Sequence, residues 1–222
     1  PEPWELGEGY KLSGRANFAL KSERGNTHKN EIDFDFQLDY RRLWHRFESW
    51  GELEYDTRSG SKTTDKWSLD NNYRRLFDGP WYGSAWLFFK HDRFQDLRLR
   101  FLTGPALGYT FDESPTRNLR AEAGVFHFRD DFYELDDESY WGPGWYLDYD
   151  QLVWQEPLQP YHKQYGVLAS GKNIWRSLTG DRMPLSGGFV GSLEYEIEYD
   201  SDPAFETDTT DTTLRLKLGY QL

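Results

Sequence analysis

The fold of this chain is decided by the stretch Leu193-Glu194-Tyr195-Glu196-Ile197-Glu198-Tyr199, in which apolar and acidic residues take alternate positions. Side chains on a β-strand point to opposite faces with a period of two residues. The stretch therefore predicts a strand with one apolar face and one strongly charged face. Two environments explain such a strand: its apolar face meets lipid, or it lines a soluble core.

The same alternation recurs along almost the whole chain. It appears early, at Ile32, Phe34, Phe36, Leu38 and Tyr40, and again at the end, at Leu214, Leu216, Leu218, Tyr220 and Leu222. The segments predict about twelve strands, a number usual for small outer-membrane barrels. The predicted strands cover residues 8–24, 27–42, 45–58, 62–77, 80–94, 97–111, 117–129, 139–155, 159–170, 173–183, 187–200 and 208–222. The tenth is the least regular, because Ile174, Leu178 and Met183 do not alternate cleanly.

Turn residues separate the segments without a break in composition, so we expect a single domain over residues 1–222. Residues 24–27 (Arg-Gly-Asn-Thr) and the pair Asp78-Gly79 are typical hairpin connections. Pro105 falls inside the sixth predicted strand beside Gly104, which predicts a bulge or a close backbone approach there. The expected fold is all-β, a transmembrane up-and-down antiparallel β-barrel with a polar lumen.

The composition excludes several classes of protein. The longest apolar run is Ala85 to Phe89, far shorter than the roughly 20 residues of a transmembrane helix. The net charge of −12 argues against a nucleic-acid partner, and the absence of cysteine excludes disulfides and thiolate chemistry. Aromatic residues make up 18% of the chain, which suits a barrel whose lipid face ends in aromatic girdles.

Two features favour a lipid-facing barrel over a soluble ligand-binding barrel. The apolar positions carry large side chains on nearly every strand, and a small closed lumen could not hold them all. The chain also ends in alternating residues up to Leu222, which looks like the terminal signal that the barrel-assembly machinery reads, although the last residue of that signal is usually Phe. We therefore expect a location in the bacterial outer membrane, with outer-membrane lipid, lipopolysaccharide and the assembly machinery as partners.

An even number of strands places both termini on one side of the membrane, which is the periplasm in bacterial outer membranes. The connections at the opposite end then face outward, and two of them are predicted to be long and acidic. Their carboxylates are Asp130, Asp131, Glu134, Asp136, Asp137 and Glu138, then Asp200, Asp202, Glu206 and Asp208. Clustered carboxylates suit hard divalent cations, but neither cluster has the spacing of a known calcium loop, and we predict no metal site.

Short motifs in a fixed order carry a family resemblance. They are Gly25-Asn26-Thr27, Asp92 to Arg100, Gly104-Pro105-Ala106-Leu107-Gly108-Tyr109, Leu119 to Gly124, and Thr207-Asp208 leading to Leu218-Gly219-Tyr220. In these, the chain resembles the salt-induced outer-membrane protein family, known mainly as a domain of unknown function. The resemblance implies an outer-membrane β-barrel of a Gram-negative bacterium, without an established activity or site residues. A second resemblance, in length and strand number only, is to narrow channels for acidic sugars, whose lumens are basic.

The polar residues that alternate with apolar ones along each predicted strand, the polar alternates, are predicted to line the lumen. The acidic ones are Asp33, Asp35, Asp39, Glu48, Glu52, Glu54, Asp148, Asp150, Glu194, Glu196 and Glu198. The basic ones are Arg15, Arg98, Arg100, Arg120, Arg215 and Lys217. Carboxylates outnumber cations, so a water-filled passage would prefer cations, as rings of carboxylates do in channels.

A plugged lumen is the alternative to an open passage. Opposite charges on neighbouring strands, such as Glu194 or Glu196 with Arg215 or Lys217, would neutralise one another. Bulky residues also fall on the polar alternates, namely Trp50, Trp86, Phe126, Phe128, Tyr146 and Trp154. The two functions left open are a small channel for ions or solutes and a structural or stress-related envelope barrel.

A lipid-modifying barrel enzyme is the rival from another class. The five histidines are scattered, and only His162 falls clearly on a polar alternate. No nucleophile elbow and no zinc-protease motif is present in the sequence. We therefore predict no catalytic residue, no cofactor and no enzyme activity.

Overall fold

The computed structural model describes residues 2–23, 29–153, 158–203 and 208–221. Within them, short 3₁₀ turns flank twelve strands. The strands are β1 (Lys11–Glu23), β2 (Lys29–Arg42), β3 (His45–Arg58), β4 (Ser61–Leu76), β5 (Trp81–Asp92), β6 (Leu97–Glu113), β7 (Arg117–Phe132), β8 (Glu138–Gln151), β9 (Gln159–Ala169), β10 (Lys172–Pro184), β11 (Phe189–Asp200) and β12 (Thr210–Gln221). All neighbours pair antiparallel, and β12 returns to β1 to close a barrel. The predicted fold class and strand number are confirmed.

The described residues contain no helix that is long and apolar enough to cross a membrane. Several sequence predictions lie outside the described residues: the turn at residues 24–27, and the residues Trp154, Glu206, Thr207 and Leu222.

The orientation of the strands follows from side-chain exposure. The outward face is apolar: Phe34 is 39% exposed, Leu193 49% and Leu216 84%. The alternate residues point inward, where Glu196 is 2% exposed and Asp130 is fully buried. An exposed apolar surface of this extent indicates that the outer face of the barrel is covered by something other than water.

The irregular tenth strand has a structural explanation. Its inward positions Lys172, Ile174, Arg176 and Leu178 mix charged and apolar residues. Ile174 belongs to an apolar cluster inside the barrel, so the inner face of β10 is not uniformly polar. The alternation rule fails where the lumen itself is apolar.

The expected close approach at Gly104 is present. A Cβ on Gly104 would lie 2.3 Å from the Val125 carbonyl oxygen of β7. The β6–β7 register is the same on both sides of Pro105, at Thr103–His127 and Ala106–Gly124. The strands therefore approach closely here without a bulge.

The barrel closes through a short seam. β1 pairs with β12 at Arg15–Gln221, Ala16–Tyr220 and Asn17–Gly219 among the described residues, whereas it pairs with β2 from Lys11 to Glu23. A Cβ on Gly219 would fall 1.5 Å from Oδ1 of Asn17, so a larger residue at that position would require the Asn17 side chain to turn away.

The prediction of two long acidic outer loops needs correction. Asp130 and Asp131 belong to β7, and Glu138 begins β8, so the first connection is only residues 133–137. Asp130 points inward because it takes the same face as Phe128 two residues earlier. Asp200 likewise ends β11 rather than lying in the second loop.

Candidate functional site in the barrel interior

The interior holds almost all of the predicted lining residues. Strand register and contacts place there Asp33, Asp35, Asp39, Glu48, Glu52, Glu54, Asp148, Asp150, Glu194, Glu196, Glu198, Arg15, Arg100, Arg120, Arg215 and Lys217. What the sequence could not show is how they pair. Most form ion pairs, and many of these pairs join strands that are not neighbours.

The prediction that Arg98 lines the lumen is wrong. Its side chain is 54% exposed and lies 3.8 Å from Asp131 on the outer side. The register shifts between Leu97 and Leu99 of β6, so counting alternate positions back from Arg100 assigns the wrong face.

Strand β3 sends three glutamates across the interior. Glu48 accepts from Arg120 of β7 at 2.5 Å, and Glu52 accepts from Arg176 of β10 at 2.5 Å. Glu54 contacts Arg215 of β12. Three strands that do not neighbour β3 are thereby tied to it.

One ion pair spans the full width of the barrel. Nζ of Lys90 on β5 lies 2.9 Å from Oε2 of Glu198 on β11. These strands are six apart in either direction around a closed ring of twelve. At this level two side chains bridge opposite walls.

The end of the barrel remote from the chain termini carries a buried cluster. Asp130 accepts two hydrogen bonds from Arg100, both 2.6 Å long, and lies 3.1 Å from Nζ of Lys172. Arg100 also donates to Asp200 at 2.9 Å. Two-pronged pairs of this kind between guanidinium and carboxylate are the strong ones.

The neighbour pairs expected between β11 and β12 are present. Arg215 donates to Glu196 at 2.8 Å, and Lys217 lies 2.8 Å from Glu194. Lys217 also lies 3.2 Å from Asp35 of β2. This last pair crosses the short seam and joins the two strands that flank β1.

Between the two charged ends lies an apolar layer, which we call the septum. It comprises the buried residues Trp86, Phe88, Leu102, Phe126, Phe128, Tyr146, Val167, Ala169 and Ile174, with Trp50, Ala106, Tyr140 and Tyr165 packed against them. The rings of Trp86 and Tyr146 are 4.7 Å apart between centroids, and Trp50 meets Trp86 edge-on at 5.6 Å. The septum therefore fills the part of the interior that is bounded by β3 and by β5 to β10.

Sequence reasoning found only part of the septum. The sequence identified five of its members as bulky residues at strand positions that are otherwise polar, namely Trp50, Trp86, Phe126, Phe128 and Tyr146. Phe88 was not, because it lies in the run Ala85 to Phe89, where both strand faces are apolar. The signal available was its spacing of two from Trp86.

Glu122 was also missed, although it lies two residues from the predicted Arg120. It is 4% exposed, and three neutral groups donate to its carboxylate: Tyr82 Oη at 3.1 Å, Ser84 Oγ at 2.6 Å and Trp86 Nε1 at 2.7 Å. The indole of the septum is thus fixed in place by a buried carboxylate.

Cavities lie on both sides of the septum. The terminal vestibule, at the end with the chain termini, has a volume of about 200 Å³ and is lined by charged residues that include Asp39, Glu48, Arg74, Lys163 and Arg182. The far vestibule, of about 60 Å³, is lined by residues that include Lys90, Arg100, Glu198 and Asp211. A cavity of about 30 Å³ lies within the septum.

The sequence assignment of His162 to the polar face is wrong. Tyr161 and Lys163 line the terminal vestibule, so His162 between them points outward, where its Nδ1 lies 2.8 Å from Oγ1 of Thr179. In the part of the chain that the structure describes, no group of three or more His, Asp or Glu is placed to hold a metal ion.

These features define the class: a closed, twelve-stranded, up-and-down antiparallel β-barrel with a charged interior. Its fold is similar to that of NanC porin, at a TM-score of 0.55 and 10% identity, over 95% of this chain and 100% of that one. The translocator domain of the autotransporter NalP from Neisseria meningitidis aligns over 96% of this chain and 88% of its own, at 13% identity and a TM-score of 0.47. No curated protein matches the chain.

The chain belongs to the family described as Protein of unknown function, DUF481, whose model matches residues 16–222. The expected membership of a family without assigned function is thereby confirmed. The salt-induced character that the resemblance implied stays a prediction.

Proposed function

We propose that this protein is an integral outer-membrane barrel of a Gram-negative bacterium that acts as a narrow channel with a weak preference for cations. The apolar outer face supports insertion into a membrane, because residues as exposed as Leu216 would otherwise meet water. Outer-membrane lipid and lipopolysaccharide would cover this face. The assembly machinery would recognise the last strand.

The observation that carries the channel proposal is the division of the interior into two vestibules by one apolar layer. A vestibule of about 200 Å³ admits water and ions from one end, and the smaller one admits them from the other. The septum and the Lys90–Glu198 bridge leave no room for a sugar-sized solute. This argues against a general porin and against a sugar channel in this conformation.

Cation preference would come from carboxylates that lack a full complement of cationic partners. Glu122 is held by neutral donors alone. Asp39 accepts from the neutral amide of Gln37 at 3.2 Å. Such groups leave net negative charge along the path, which favours cations.

A second candidate is a plugged structural barrel, and the Lys90–Glu198 bridge favours it. Ion pairs that join opposite walls brace a barrel against collapse and distortion. In this function, the interior would serve stability and no ion would cross.

Two measurements test the proposal. A membrane barrel should migrate on detergent gels at different positions before and after heating; unchanged migration would contradict insertion. In planar bilayers under a KCl gradient, we expect small currents that reverse toward the potassium equilibrium potential. A heat-modifiable protein without current would establish the plugged barrel, and anion preference would contradict the charge argument.

The predicted role of Glu194, Glu196 and Glu198 can be tested in the same recordings. Changing all three to Gln removes one carboxylate partner from each of Arg176, Lys217 and Lys90, although Arg176 keeps Glu52 and Lys217 keeps Asp35. We expect the reversal potential to move toward zero. An unchanged reversal potential would show that these glutamates do not face the path.

A further inference from the structure

The inner face of β4 carries polar atoms that have no partner. Ser68, Asp70 and Asn72 point inward and are 9%, 1% and 0% exposed. Ser68 Oγ, Asp70 Oδ2 and both amide atoms of Asn72 have no hydrogen-bond partner among the described residues. Buried polar side-chain atoms are satisfied in the large majority of cases, so three consecutive inward positions without partners require an explanation.

Asp70 differs from the other buried carboxylates. Asp130 is paired with Arg100 and Lys172, and Glu196 with Arg176 and Arg215. Asp70 forms no ion pair with any residue that the structure describes, and its Oδ2 accepts no hydrogen bond. An ionised carboxylate that is buried without a partner is strongly disfavoured, and either a proton or a cation that approaches it removes the penalty.

The middle residue of the three, Asp70, lies at the septum. Asp70 borders the cavity of about 30 Å³ inside the septum, together with Trp86, Phe88, Tyr146 and Tyr165. That volume holds one or two waters or a single small ion. The aromatic walls add an attraction for cations at close range.

The row of inward polar residues on β4 extends to both vestibules. On one side Arg74 lines the terminal vestibule. On the other side Ser68 borders a cavity of about 20 Å³ shared with Lys90 and Glu198, which also line the far vestibule. At about 3.4 Å per residue, the inward positions from 66 to 74 cover roughly 27 Å along the strand, which at a tilt of about 40° is roughly 20 Å of barrel height and most of the apolar band of a membrane barrel.

We propose that Ser68, Asp70 and Asn72 line a single-file path through the septum, with Asp70 as the binding site for a dehydrated monovalent cation. This inference rests on the proposed channel function and names its selective site. Asp70 supplies a single negative charge, and the neutral oxygens of Ser68 and Asn72, each about 7 Å away along the strand, would meet the ion before and after it. A divalent ion would need more carboxylate ligands.

The test is the potassium-to-chloride permeability ratio of Asp70→Asn in planar bilayers. We expect the ratio to fall to about one and the current to decrease. Asp65→Asn is the matched control, because Asp65 lies on the same strand and contacts Lys62 at 2.8 Å on the outer side. The control should keep the ratio of the unchanged protein.

A second variant keeps the test independent of folding. Asn72→Leu removes two unsatisfied amide atoms and makes this part of the path apolar, so that ions lose their polar lining; we expect lost current at an unfolding midpoint that is equal or higher. Persistent current in Asn72→Leu would overturn the path.

The outcomes separate the two proposals. Current in the unchanged protein with the same permeability ratio in Asp70→Asn overturns the site and leaves the channel. No current in the unchanged, heat-modifiable protein overturns both. Current that persists after potassium is replaced by N-methylglucamine and chloride by gluconate, at the same pH, shows a proton path and overturns the assignment to a metal cation.

Discussion

The substitution Asp130→Asn tests the charge network of the far end most directly. It keeps the shape of the side chain and removes its charge. Asp130 is fully buried and is held by Arg100 through two hydrogen bonds of 2.6 Å and by Lys172 at 3.1 Å. After the substitution, two buried cations face a neutral amide.

Breaking a buried ion pair by removing one partner costs about 3–5 kcal/mol, because a charge is left uncompensated. Arg100 retains Asp200 at 2.9 Å, so we expect the lower end of that range. A loss of about 3 kcal/mol corresponds to roughly a 150-fold change in the unfolding equilibrium.

The assay is urea unfolding of the detergent-solubilised protein, followed by the fluorescence of its 10 tryptophans. The matched control is Asp131→Asn, one residue further along β7. Asp131 contacts Arg129 at 2.7 Å on the outer face, where that arginine is 54% exposed. We expect the control to leave the unfolding midpoint nearly unchanged, because exposed pairs contribute little. Equal losses in the two variants would refute the inward assignment of Asp130.

Three further predictions concern the septum, the close strand contacts and the seam. Trp86→Ala should open the septum and let a pentose enter proteoliposomes, as measured by swelling, whereas Trp81→Ala on the outer face should not; equal swelling rates would contradict a septum at Trp86. Gly142→Ala should lower the free energy of unfolding by about 1–3 kcal/mol, because its Cβ would lie 2.2 Å from the Leu168 carbonyl oxygen. Gly191→Ala meets nothing closer than 3.8 Å and should be tolerated, so equal unfolding midpoints for the two glycine variants would count against that packing. Amide hydrogen exchange should be faster in β12 than in β6 or β7, since the seam with β1 is short, and uniform protection would argue for a fully paired seam.

The fold was predictable because the alternation of side chains is a local signal. Leu193 to Tyr199 alone specifies a strand with two unlike faces, and the turns set the number of strands. The structure differs mainly at strand ends, as at Asp130, where the alternation continues further into the predicted loop than the composition suggests.

The interior was less predictable because its contacts join residues far apart in the chain. Alternation places Lys90 and Glu198 on inner faces, but nothing local indicates that they meet across the barrel. The row of polar side chains without partners on β4 likewise could not be found in the sequence. Ser68 and Asn72 resemble ordinary polar residues on the inward face of a strand. The predicted orientations of Arg98 and His162 were wrong for a local reason, because one shift of register or one misjudged face reverses the side to which a residue is assigned.

The central claim is that apolar side chains face lipid while charged ones share the interior. The most direct test is a series of single-cysteine variants from Leu193 to Glu198, each carrying a nitroxide, in a chain that has no cysteine of its own. We expect collisions with oxygen dissolved in the bilayer to peak at Leu193, Tyr195 and Ile197 and to fall at the glutamates between them. Peaks at the glutamates instead, or no alternation, would contradict the account.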